Sequence, residues 1–226
     1  RAFLQDPLLA EPRSSNVDTA SLVPKAIVEN LPRPPARQPP LFTPGGLVYE
    51  LSVRGFSMAH LRVPHTLRGT VRSLAEPAVI EHLVKLGVDA VELMPVTAWI
   101  DERHLPPLGL RNAWGYNPVA FMALDPRVAP GGISELRDTV AALRKAGIGV
   151  ILDVVFNHTG EADMMGPTLS LRGLDNRAYY RHQENDRLSN DTGCGNVVDA
   201  CHPANIPRVR AADSHDRGPD EAIKGS

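Results

Sequence analysis

Ile151-Leu152-Asp153-Val154-Val155-Phe156-Asn157-His158-Thr159 is an almost wholly apolar run that carries one carboxylate and ends abruptly in an amide and an imidazole. It follows a helical pattern and Gly147, so it predicts a strand from Gly149 to Phe156, buried on both faces of a parallel sheet. Polar groups at the carboxyl end of such a strand lie where α/β folds place their chemistry. Alternation assigns Asp153, Val155 and Asn157 to one face, and Val154, Phe156 and His158 to the other. At the strand end, twist and turn can still aim Asn157 and His158 toward one cleft. Asp153 requires a partner, because an unpaired buried carboxylate is costly. An imidazole titrates near neutrality, so His158 suits hydrogen bonding to a neutral hydroxylated ligand, or proton transfer.

Upstream of this run the pattern alternates between strand and helix. Gly45-Gly46 releases the chain into a strand over Leu47 to Val53, and Glu76 to Leu86 forms a helix with Pro77 in its first turn and Gly87 as its stop. Val88 to Leu93 is a second strand, closed by Pro95. A long polar loop runs from Val96 to Pro118, and Ile133, Leu136, Val140 and Leu143 then recur at helical spacing over Ile133 to Ala146, with Ser134 as a candidate cap. The order β, α, β, loop, α, β predicts a parallel sheet with crossover helices.

The flanks read differently. Leu31 to Pro44 holds six prolines (Pro32, Pro34, Pro35, Pro39, Pro40 and Pro44), too many for a helix or a central strand. Residues 1–46 are therefore an irregular lead-in, with a possible short edge strand over Leu22 to Val28. Residues 47–159 carry the βα units, and 160–202 form a polar excursion inserted after the third strand. Residues 203–226 are an irregular tail without a periodic apolar pattern, expected to be disordered in isolation.

The composition, 42% hydrophobic and 22% charged over 226 residues, is that of an ordinary soluble domain. A formal net charge of -2 without Lys or Arg runs gives no reason to expect nucleic acid or an anionic membrane as a partner. The N-terminus lacks a signal-peptide pattern and no apolar stretch approaches the ~20 residues needed to span a bilayer. Cys194 and Cys201 read as free thiols of a reducing compartment, which predicts a cytoplasmic location. A zinc site joining them to His202 and His215 fits none of the usual spacings. No cofactor is expected. GxSxG, HExxH and P-loop patterns do not occur, and Thr192-Gly193-Cys194-Gly195-Asn196 resembles a phosphate cradle only superficially.

Trp114-Gly115-Tyr116-Asn117-Pro118 is the second cluster with chemical content. Aromatic faces stack on sugar rings or bases, a phenol adds a hydrogen bond, and Gly115 permits a sharp turn between the two rings. Tyr49 and Glu50 on the first strand form a third, in which Glu50 needs a partner or a position at the wet end of the strand.

Together these residues resemble the α-amylase superfamily of glycoside hydrolases, and within it the isoamylase and bacterial glycogen-debranching branch. Asp153-Val154-Val155-Phe156-Asn157-His158 is similar to the signature at the end of the third barrel strand. Val48-Tyr49-Glu50 with Ser57, Val91 to Val96, Trp114 to Pro118 and the Thr192 to Asn196 loop resemble the first strand, the second-strand end, the loop after it and a debranching-type loop. The resemblance covers about residues 22 to 202. It implies the N-terminal portion, about three strands, of a (β/α)8 TIM barrel with a long loop or small domain after strand 3.

The resemblance also implies roles. Tyr116 becomes a stacking platform under the sugar at the cleaved bond, with Trp114 beside it. His158 becomes a hydrogen-bond partner of that sugar, Asn157 a further substrate contact, and Asp153 a structural acid that pairs with an arginine near the nucleophile. Asn157 also matches a position that binds calcium in many α-amylases, an ion that debranching enzymes often lack. The implied substrate is a branched α-glucan such as glycogen or limit dextrin. Its α-1,6 linkages are cleaved with retention by two carboxylates about 5–5.5 Å apart.

In the family the nucleophilic Asp, the acid/base Glu and a third essential Asp lie on the fourth, fifth and seventh strands of a barrel of about 250 residues. Three strands are legible here, so no residue is nominated as catalytic, Asp213 and Asp216 included. The expectation is a truncated or frameshifted form, inactive by itself. The alternatives are a non-catalytic remnant that at most binds glucan, or another superfamily member such as branching enzyme or maltooligosyl-trehalose hydrolase. An unrelated nucleotide-binding domain would require a Gly-rich loop after the first strand, where Arg54-Gly55-Phe56 supplies one glycine.

Overall fold

The computed structural model describes residues 38–203 continuously, together with Asp18, Lys25, Arg33, Ala36 and Asn205. The edge strand expected over Leu22 to Val28, most of the lead-in and nearly all of the tail lie outside the described residues. The chain divides into two compact units, with the division at Val155–Phe156.

The unit that ends at Val155 is built on three parallel strands, β1 (Val48–Leu51), β2 (Ala90–Leu93) and β3 (Gly149–Leu152), in the order β1-β2-β3. Two α-helices and two short 3₁₀ turns connect β1 to β2, and a third helix connects β2 to β3: α1 (Val53–Ser57), α2 (Pro77–Leu86) and α3 (Gly132–Lys145). This is the βα alternation read from the sequence. α2 starts with Pro77 at its first turn, where the missing N–H costs nothing, and stops at Gly87, whose φ of +73° suits glycine. α3 has Gly131 rather than Ser134 at its cap. Four short elements went unforeseen, α1 and 3₁₀ turns over His65–Leu67, Val71–Ala75 and Pro106–Leu108. In α1, Ser52 accepts from the Gly55 N–H at 3.3 Å, so Val53 belongs to this helix and not to the strand.

The core lies where α2, α3 and the 3₁₀ turn over Val71–Ala75 pack on one face of the sheet. Val71, Leu74, Val79, Leu83, Val91 and Leu143 are each fully buried there. Complete burial of each such side chain stabilises by about 1.5–3 kcal/mol. Tyr49 shares this side and meets Phe56 edge-on, with centroids 6.0 Å apart.

One expectation needs correction. The third strand ends at Leu152, not Phe156, and it is not buried on both faces: Ile151, Leu152 and Val154 are exposed by 36%, 42% and 42%. The physical reason is its place at the sheet edge, where it pairs with β2 alone among the described strands. A continuous apolar run reports only that a strand can be buried.

The unit beginning at Phe156 contains α4 (Leu171–Tyr179), where the sequence predicted only an irregular excursion. Asp175 breaks the helical dihedrals inside it (φ -163°, ψ 98°), and Gly173, Asp175 and Asn176 are weak helix formers. Isolated antiparallel bridges Tyr180↔Val198 and His182↔Leu188 tie the segments that follow.

Candidate functional site

Register brings the three strands of the first unit to a common end. Leu51, Leu93 and Leu152 lie in one row, the Met94 N–H reaches the Leu51 carbonyl at 3.0 Å, and the Asp153 N–H reaches the Leu93 carbonyl at 2.9 Å. Asp153 is therefore the first residue past the carboxyl end of β3. On the face opposite the core, Glu50 pairs in register with Glu92, in the row of Ile151 and two residues before Asp153. Glu50 is exposed.

Tyr116 reaches this rim from the loop between β2 and α3. That loop is folded back on itself by bridges Thr97↔Leu124 and Trp99↔Pro118. The Asn112 side chain accepts from the N–H groups of Trp114 (3.0 Å) and Gly115 (2.8 Å), which sets the turn. Gly115 has a φ of +84°, and a Cβ there would stand 2.8 Å from the Pro95 carbonyl oxygen. Only glycine passes this point without strain. The turn delivers the Tyr116 hydroxyl to Asp153 Oδ2, to which it donates a short hydrogen bond. That bond, then burial, then the charges of Asp153, Glu50 and Glu92 push the phenol well above its ordinary ionisation range. Tyr116 is thus fixed as a neutral donor with its ring direction set. Asp153 is half-buried, and its described partner is this phenol.

Beside the turn lies a cleft of 480 Å³ whose lining includes Arg54, Pro95, Trp99, Arg111, Trp114 and Arg127. Trp114 is 69% exposed and offers an open indole face. Trp99 instead serves the scaffold: its Nε1 donates to the Asn112 carbonyl at 3.2 Å, and the Arg127 guanidinium stacks 4.2 Å from its ring centroid. Buried Asp125 holds Arg127 through Nε (2.8 Å) and Nη2 (2.7 Å), and this pairing raises the guanidinium's pKa further. Burial alone would raise the carboxyl of Asp101. Bonds from Arg111 Nη1 and the Asn112 N–H, both 2.8 Å, outweigh it and hold Asp101 below its ordinary value.

In the second unit, Asn157 and His158 stand together, with His158 Nδ1 2.9 Å from Asn157 Oδ1. His158 is 6% exposed, whereas Asn157 is exposed. Next to them is a buried polar network that the sequence reading missed. Glu161, fully buried, accepts from the N–H groups of Leu169 (2.7 Å), Ser170 (2.8 Å) and Arg172 (2.9 Å), and from the Tyr180 hydroxyl. It thereby satisfies two of the orphan donors at the start of α4, those of Ser170 and Arg172. Burial first, and then the Glu161 bond, pushes the Tyr180 phenol far above its usual range.

Cys194 and Cys201 are free and exposed, and His215 lies outside the described residues. Among the described residues no group of three or more His, Cys, Asp or Glu converges to hold a metal. The Asn157 amide oxygen, the donor a calcium ion would use, faces the His158 ring. These residues do not fit the calcium site that the family implies.

The family description "Alpha amylase, catalytic domain" matches residues 69–204. The chain belongs to this family. It is 43% identical over 198 residues to a glycogen debranching enzyme of Klebsiella pneumoniae (strain 342), covering 85% of this chain and 30% of that one. It is 48% identical over 193 residues to a glycogen debranching enzyme of Yersinia pseudotuberculosis (serotype IB), covering 82% and 29%. The chain thus spans about a third of the length of these curated relatives. Among solved structures it resembles pullulanase from Paenibacillus barengoltzii in complex with maltohexaose and α-cyclodextrin, with TM-score 0.62, 25% identity and coverage of 75% and 28%. It also resembles pullulanase from Anoxybacillus sp. LM18-11 complexed with maltotetraose, with TM-score 0.61, 27% identity and coverage of 82% and 28%. The three parallel strands with their helices are those of the N-terminal part of a (β/α)8 barrel.

Proposed function

We propose that this chain is the N-terminal part of the catalytic barrel of a glycoside hydrolase of the glycogen-debranching type. Its substrate is a branched α-glucan, glycogen or limit dextrin, cleaved at α-1,6 linkages with retention through two carboxylates. The observation that carries this reading is Tyr116, a neutral phenol fixed to Asp153 at the carboxyl rim of the sheet by a turn that requires Gly115. An aromatic face held at that height suits stacking on a glucose ring. The relatives' printed names supply the glucan and the bond.

In this reading Tyr116 is a stacking platform, Trp114 a second aromatic contact, and His158 and Asn157 partners of sugar hydroxyls. His158 Nδ1 stands 2.9 Å from Asn157 Oδ1, a pairing that restrains the direction of the ring. Asp153 is a structural acid that orients Tyr116 and remains open to an arginine from a further strand. The nucleophile and acid/base are not among these residues, so the chain alone binds glucan without cutting it. Two exposed free thiols suit a cytoplasmic location.

The test is calorimetric titration of the 226-residue chain with maltohexaose, beside a reducing-end assay on limit dextrin and pullulan. Saturable binding without release is expected. Reducing ends above the enzyme-free control would overturn the division of labour, and the lack of any saturable binding would overturn the glucan reading itself.

A further inference from the structure

His158 lies between two residues that one distant segment holds. On one side, the Asn157 carbonyl accepts from the Val198 N–H at 2.9 Å. On the other, the Thr159 N–H donates to Asn196 Oδ1 at 2.9 Å, and Asn196 Nδ2 returns a bond to the Thr159 carbonyl at 3.0 Å. The same Nδ2 reaches the Ala162 carbonyl at 2.8 Å. Asn196 is fully buried, so its amide spends its hydrogen-bonding capacity on the backbone immediately after His158. A buried amide with paired donor and acceptor bonds to one residue fixes that residue's position and orientation, because any rotation breaks both.

The gripping segment is itself anchored. Val198 bridges to Tyr180, and the Arg181 N–H donates to the Val197 carbonyl at 2.9 Å. Tyr180 is tied through its hydroxyl to Glu161 and to Thr159. Gly195 makes the approach possible: its φ is +96°, and a Cβ there would fall 2.5 Å from the Asp163 nitrogen. A side chain at 195 would hold Asn196 away from Thr159.

We propose that Asn196 is the positioning residue for His158, setting the imidazole's orientation from 38 residues downstream without touching the sugar. This rests on the glucan-binding reading only for its consequence, since the mechanical role is a matter of the second unit alone. If Asn196 acts through His158, its loss frees the 157–159 backbone, loosens the pairing of His158 Nδ1 with Asn157 and lets the ring reorient. The affinity lost is then the affinity that His158 supplies.

The experiment uses the ¹⁵N-labelled 226-residue chain and its variants Asn196→Ala, His158→Ala and the pair combined. Long-range ¹H–¹⁵N spectra of the imidazole are expected to change between the parent and Asn196→Ala. Amide spectra of residues 47–152 should stay unchanged. In maltohexaose titrations, Asn196→Ala and His158→Ala are expected to lose affinity by similar factors. The double variant should be no weaker than His158→Ala, because coupled residues are not additive. An unchanged His158 ring in Asn196→Ala overturns the proposal, as does a double variant weaker by the product of the single losses. If the parent binds no maltohexaose, the glucan reading fails while the imidazole spectra still decide the role of Asn196. Should Asn196→Ala not fold, Asn196→Ser breaks the two-sided grip with a smaller cavity and carries the same expectations.

Discussion

The hydroxyl of Tyr116 donates to the carboxylate of Asp153 across 37 positions of sequence, joining the loop after β2 to the rim of β3. The bond fixes the direction of the ring without supplying its stacking face, so the two functions separate by mutation. Tyr116→Phe keeps the face and is expected to hold maltohexaose affinity within about threefold. Tyr116→Ala removes the face and is expected to lose about tenfold, since an aromatic contact is worth about 0.5–1.5 kcal/mol and 1.4 kcal/mol is a factor of ten. Calorimetry on the two variants checks this, and equal affinities for the parent and Tyr116→Ala would remove Tyr116 from the binding surface.

The raised phenols of Tyr116 and Tyr180 predict a specific alkaline response. Both groups have folded values above the free tyrosine value of about 10. Above that pH the unfolded chain releases these protons while the folded chain keeps them. The stability they contribute is complete below about pH 10 and is lost as the pH climbs toward the folded values. Tyrosinate absorbance near 295 nm should therefore include Tyr116 and Tyr180 only as the far-ultraviolet signal collapses. Ionisation of either phenol in the folded chain, detected by comparison with Tyr116→Phe and Tyr180→Phe, would contradict the hydrogen-bonded assignment.

The βα order and the ends of α2 were legible because each is a local pattern: a helical period, a Pro at a first turn, a Gly at a stop. The rim position of Asp153 was not, because the apolar run continues to Phe156 and carried the expected strand end four residues too far. Nor was the Tyr116–Asp153 bond, because pattern says nothing of which atoms meet. The β3 run misled about burial, since apolar composition is the same for a central and an edge strand. Glu161 gave no signal at all, being one acid in a polar stretch whose partners are backbone N–H groups. Asn196 gave a partial one, in the closely spaced glycines before it, of which Gly195 is where backbones touch.

Two glycines with similar dihedrals allow backbone strain to be told from crowding. Gly87 has a φ of +73° with open space where a Cβ would go, whereas at Gly115 (φ +84°) the Cβ meets the Pro95 oxygen at 2.8 Å. Gly87→Ala should cost about 1–2 kcal/mol for the left-handed conformation alone. Gly115→Ala should cost at least about 1 kcal/mol more, because backbone must shift. It should also weaken maltohexaose binding by moving Tyr116, while Gly87→Ala leaves binding unchanged. Thermal melts and titrations of both variants check the pair, and equal melting losses would mean that the turn yields without strain.

Glu161 tests whether the second unit depends on a single buried carboxylate. Three backbone N–H groups and the Tyr180 hydroxyl converge on its two oxygens, and no apolar contact can replace an acceptor for four donors. Glu161→Gln keeps the size, but turns an NH₂ toward at least one of those donors. A hydrogen bond to a charged acceptor contributes about 1.5–3 kcal/mol, and an orphaned buried donor costs about 1–3 kcal/mol. A loss of about 2–4 kcal/mol is therefore expected, read by denaturant melts. Hydrogen exchange distinguishes its location: amides of α4 and of Thr159 should lose protection first, while those of β2 and α3 keep theirs. Uniform loss across both units would show that Glu161 supports the whole chain rather than the start of α4.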